Sequence, residues 1–155
     1  MNIRRSIAVI GAVAVGMLGL AASSAADTGS RNEHFVALQT STAQNATSTL
    51  IATGPVHARG TDVQISNTKD KFVFPKGTLN ILHKAGHSKN AFDKVTCYGT
   101  FTETGTYKVT GGTGAYKGAH GHGSYTVKAS FVGCSQTSPP DVFMLEINAF
   151  GPLAL

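Results

Sequence analysis

The chain has 155 residues, a formal net charge of +5 and 14% charged residues. Apart from Arg4 and Arg5, its Lys and Arg are spread singly from Arg31 to Lys128, without the basic stripe that nucleic-acid binding requires. No nucleic-acid partner is expected, and the mildly basic surface names no other.

The chain opens with a targeting segment. Arg4 and Arg5 form a short positive region, residues 7–20 an apolar run, and AASSAAD offers Ser24-Ala25-Ala26 as a cleavage site before Asp27. The apolar run is short for a membrane span, and no cysteine at the cleavage site could carry a lipid. Arg4-Arg5 fits an ordinary or a twin-arginine signal. The reading is a signal peptide over residues 1–26, export to the cell envelope or beyond, and no stable membrane insertion afterwards. Residues 27–155 then form a single domain, and two of the five net positive charges leave with Arg4 and Arg5.

Past the signal no amphipathic helix is found. Apolar residues alternate over short runs broken by turn residues, the pattern of an all-β sandwich or barrel. In chain order the runs are EHFVALQT, TSTLIATG, VHARGTDVQIS, DKFVFP, TLNILHK, KVTCYGTFTET, GTYKVTG, GSYTVKASFVG and DVFMLEINAF. Pro75-Lys76-Gly77 reads as a turn, and KAGHSKN, residues 84–90, as an exposed loop. Parity assigns the faces, because side chains alternate across a strand. Tyr125, Val127, Ala129 and Phe131 share one side, and Phe143, Leu145, Ile147 and Ala149 another. Both sets are expected to line the interior of a closed antiparallel barrel of about eight strands, wide enough for side chains or one small ligand.

The two cysteines, Cys97 and Cys134, stand in an exported chain, and an even count there favours one disulfide. Neither is flanked by a signature of a thiol nucleophile.

The stretch YKVTGGTGAYKGAHGHGSYTV, residues 107–127, admits three readings. A Walker loop fails because Lys117 precedes a glycine and no Ser or Thr follows it. A dinucleotide loop fails because Lys117 stands where the third glycine belongs, and a strand follows rather than a helix. A metal site at His120 and His122 would need His83 and His87. Parity puts His120 and His122 on the solvent side with Thr126 and Lys128, but His83 on the inner side with Leu79 and Ile81, and no carboxylate orients the rings. No metal or cofactor is expected. The remaining reading is a connection between antiparallel strands, with one short helical turn over residues 113–117 and with Gly111, Gly112, Gly114 and Gly118 as its turn glycines.

With flanking strands, GGTGAYKGAHG resembles the glycine-rich connection of the allene oxide cyclase and dirigent barrels. It is similar also to that of small secreted bacterial proteins of unassigned activity with the same barrel. TGPVHARGTD and DKFVFPKG resemble the latter group. The resemblance implies an eight-stranded antiparallel barrel in which this segment joins neighbouring strands. It transfers no catalytic residue, because the cavity residues of the plant enzymes and the acids of dirigent proteins match no motif here.

No nucleophile elbow, HExxH or paired-carboxylate motif occurs. The leading expectation is a secreted, non-enzymatic barrel holding a small apolar ligand. A cyclase or isomerase acting on a small hydrophobic substrate is the alternative, since such chemistry needs little beyond a shaped cavity and a few polar groups. Its candidates are His83 and Glu146 as acid and base, with Tyr98 and Tyr107 as donors. Against these roles, His83 could cap a strand end, Glu146 face water and the tyrosines pack at the rim. The mixed face of Val142 and Met144 suggests a third class, contact with other subunits.

Overall fold

The computed structural model describes residues 29–43, 46–135 and 137–155. The targeting segment expected over residues 1–26 lies outside them. Eight antiparallel strands close into a barrel: β1 Arg31–Gln39, β2 Ser48–Ala52, β3 Ala58–Ser66, β4 Lys69–Phe74, β5 Gly77–Asp93, β6 Tyr98–Gly112, β7 His120–Val132 and β8 Val142–Ala154. Each strand pairs with the next in sequence. The β1–β8 ladder, with Phe35 opposite Ala149, closes the ring. Closure leaves no sheet edge around the wall.

The inner faces follow parity. Tyr125 and Val127 are buried, and Leu145, Ile147 and Ala149 line the interior as expected. The largest fully buried apolar side chains are Phe35, Leu50, Leu79 and Leu153, each at most 1% exposed. Burial of each such side chain contributes about 1.5–3 kcal/mol.

Two expectations about the strands are corrected. KVTCYGTFTET and GTYKVTG are one strand, because Gly105 does not break β6 but makes room within it. A Cβ there would come within 2.5 Å of both the Tyr125 ring and the Lys84 carbonyl oxygen. Residues 84–90 are not a loop. They continue β5 alongside β6, past a bulge between Ala85 and Ser88. Their polar, non-alternating sequence reflects exposure on both faces where β5 runs beyond the end of β4, and the backbone ladder alone keeps them extended.

The β6–β7 connection is a single 3₁₀ turn over Gly114–Tyr116, set by Gly111, Gly114 and Gly118 at φ 143°, 61° and 87°. Gly112 has no positive φ. It is confined by close approach, since a Cβ would lie 2.3 Å from the Thr78 carbonyl oxygen. The connection does more than turn the chain. Tyr116 is 3% exposed and meets Phe74 edge-on with ring centroids 5.9 Å apart, which plugs this end of the barrel.

Cys97 and Cys134 form the disulfide, with Cα atoms 4.9 Å apart. Cys97 lies in the β5–β6 turn rather than in a strand, and Cys134 follows β7. They meet because β6 and β7 are neighbours with Tyr98 opposite Val132, and Gly133 N donates to the Cys97 carbonyl at 2.9 Å.

Candidate functional site

The antiparallel order sends alternate connections to opposite ends. The β2–β3, β4–β5 and β6–β7 connections share the plugged end. There Glu33, fully buried on β1, accepts backbone N–H bonds from His34 at 3.1 Å, Gly54 at 2.6 Å and Val56 at 2.8 Å. Such bonds compensate the lost hydration of a buried carboxylate and tie the β2–β3 connection across the barrel end. Glu33 is therefore a fastening.

The other end opens into a cavity of about 590 Å³. Its floor is Phe35, Leu50, Phe72, Ile81, Tyr107 and Ala149, with the Phe35 ring centroid 5.1 Å from that of Phe72 and 6.3 Å from that of Tyr107. Two glycines admit the large rings. Gly105 lies opposite Tyr125 and Gly123 opposite Tyr107, where a Cβ on Gly123 would stand 2.6 Å from the Tyr107 ring. Toward the mouth the lining turns polar, with Ser48, Asp62, Gln64, Asp70, His83, Glu103 and Tyr125.

The ionisable groups among these form two pairs and one remainder. His83 Nε2 lies 3.2 Å from Asp70 Oδ2, and the His83 ring stands edge-on to Tyr125 with centroids 5.9 Å apart. Tyr125 donates its hydroxyl proton to Glu103 at 2.7 Å. Burial, the Glu103 hydrogen bond and the Glu103 and Asp70 charges push the Tyr125 phenol above its ordinary range. Asp62 is the remainder. Its Oδ1 is sealed from solvent and has no hydrogen-bond partner among the described residues. Burial, then the nearby Asp70 charge, push its carboxyl up to about 7. Asp70 is also raised by burial, with His83 pulling against it.

Of the four cavity candidates read from the sequence, two belong to the cavity. His83 and Tyr107 line it, and burial with the Glu33 charge raises Tyr107 to about 12. Tyr98 and Glu146 do not. Tyr98 is 46% exposed at the start of β6, on the face opposite Glu103 and Tyr107. Glu146 projects from the outside of β8 and accepts a bond from Asn148, whose Oδ1 meets His34 Nε2 at 3.1 Å. Parity forbids both, since the inner sets of β6 and β8 are odd-numbered. Parity also carried what the candidate set missed. Asp62 is in step with Gly60 and Gln64, Asp70 with Phe72 and Phe74, and Glu103 with Phe101 and Tyr107. His120 and His122 are exposed on the outer face, and among the described residues no three His, Cys, Asp or Glu side chains come together as a metal set.

A closed antiparallel barrel, plugged at one end and opening at the other into an apolar cavity with an acidic mouth, is the class the geometry defines. No protein-family model matches the chain, and no curated protein or solved structure matches it either.

Proposed function

We propose that this is an exported binding protein that holds a small apolar ligand in its barrel. The observation that carries this reading is the cavity itself. Its volume falls within the roughly 300–1,000 Å³ typical of small-molecule sites, with an apolar floor and a few convergent polar groups. A barrel meant only as a scaffold would fill this space with side chains. The Cys97–Cys134 bridge is compatible with export, as is the absence, among the described residues, of any helix long and apolar enough to cross a membrane. The barrel and its glycine-rich β6–β7 connection support kinship with the allene oxide cyclase and dirigent-like barrels and their secreted bacterial relatives.

The His83–Asp70 and Tyr125–Glu103 pairs favour a second reading, acid–base catalysis of a cyclisation or isomerisation on a hydrophobic substrate. Both readings place the ligand in the same cavity. Titration with nile red should give a saturable, blue-shifted rise in fluorescence. Ala149→Phe, which fills the floor, should abolish it while leaving the far-ultraviolet β signal intact. No binding, or binding indifferent to the filled floor, would refute the reading.

A further inference from the structure

The basic charges of the described residues all lie on the outside. Every Lys and Arg among the described residues is exposed, and none lines the cavity. Three carboxyl groups, Asp62, Asp70 and Glu103, turn inward instead. Inward carboxyls lose hydration and need compensation. Glu33 at the plug receives it from three backbone N–H groups, Asp70 from His83, and Glu103 from the Tyr125 hydroxyl. Asp62 lines the cavity as well, yet its Oδ1, closed to solvent, receives none. The arrangement leaves one kind of partner unsupplied: a cationic hydrogen-bond donor arriving from the cavity side.

Resting on the proposed binding function, we infer that the ligand is an amphiphilic amine, with its hydrocarbon on the Phe35, Leu50 and Phe72 floor and its protonated nitrogen on Asp62 at the mouth. The floor sets the apolar body, and the mouth sets the sign and polarity of the head. A metal ion does not suit the site, because the acids and His83 are too dispersed to form a common coordination shell. A fatty-acid head would meet three acidic groups with no Lys or Arg to receive it. A low-dielectric wall focuses the acidic field at the mouth.

The inference also fixes the direction of proton exchange. Asp62 is partly protonated at neutral pH, with its carboxyl raised to about 7 by burial and Asp70. Besides Asp70 on β4, the titratable groups sharing its cavity are His83 on β5, Glu103 and Tyr107 on β6 and Tyr125 on β7. An ammonium placed against Asp62 favours the ionised carboxylate, so binding at neutral pH releases part of a proton.

Calorimetric titration of the exported, disulfide-bonded protein with decylammonium, decanol and decanoate tests this. The expected order is the amine tightest, by at least about tenfold over the alcohol, and decanoate weakest. In Asp62→Asn the amine-to-alcohol affinity ratio should collapse toward one. Should that variant fail to fold, the native protein still decides: the amine's binding enthalpy, measured in two buffers of different ionisation heat, should reveal net proton release. Equal affinity for amine and alcohol, a preference for decanoate, or amine binding without proton release would overturn the amine while leaving the apolar-ligand barrel standing. If decanol and nile red also fail to bind, the binding function falls and the amine with it.

Discussion

At the scale of single residues, a carboxyl group withdrawn from water either finds partners or keeps its proton, and Glu33 and Asp62 take the two courses. Asp62 has a folded value of about 7 against an ordinary 3.8, so the folded protein binds this proton more tightly than the unfolded chain. The stability this group contributes is therefore full below 3.8 and is lost as pH rises through about 7, by at most ~4 kcal/mol. Thermal melts across that window should show the decline, and Asp62→Asn should flatten it, leaving the contribution of Asp70. An unchanged slope in the variant would mean that Asp62 is not a buried acid. Glycine positions separate in the same way by mechanism. Gly114, at φ 61° with its Cβ position 2.3 Å from the Lys76 carbonyl oxygen, should cost more than about 1 kcal/mol as Ala. Paired replacement of His120 and His122 by Ala should cost only a few tenths of a kcal/mol, and chelator should not move the melting curve. A chelator-induced drop would restore the metal reading of that segment. Asp62 escaped the sequence reading because an acid on a strand is ordinarily assigned to water, and only its step with Gly60 and Gln64 marked it as inward.

At the scale of elements, the β6–β7 connection and the disulfide act at opposite ends of the barrel. The connection carries Tyr116 into the plug, a role that turn chemistry alone does not reveal, because the residue it meets, Phe74, belongs to β4. The disulfide clamps the β5–β6 turn to the segment leaving β7, where β5 and β6 extend beyond the barrel wall. A free-thiol assay on unfolded, unreduced protein should therefore find none. Replacing Cys97 and Cys134 by Ala should lower stability by up to about 4 kcal/mol on the chain-entropy account of a bridge spanning 37 positions. Two titratable thiols would refute the bridge. Strand existence was legible from alternation, whereas strand length was not. Residues 84–90 lack alternation because neither face is covered, and their extended state comes from partners on β6 that are distant in sequence.

At the scale of the whole molecule, closure converts eight half-apolar strands into one container with its lysines outside and Glu33, Asp62, Asp70 and Glu103 inside. A container that binds a ligand only when folded must be stabilised by it through mass action. Nile red or decanol at about one hundred times its dissociation constant should add roughly 2.7 kcal/mol, read as a higher melting temperature. No shift under saturating ligand would place the binding outside the folded cavity. Local pattern sufficed for the all-β class, for the inner sides of β7 and β8, for the glycine connection and for the cysteine pair, because each depends on neighbours one or two positions apart or on simple parity of count. The cavity did not follow from local pattern. Asp62, Asp70, His83, Glu103 and Tyr125 come from β3 through β7 and meet only because the sheet curls until β1 pairs with β8. The same closure leaves Tyr98 and Glu146 outside. Alternation tells which side of a strand a residue takes, while the pairing registers and the height along the barrel decide what it faces there.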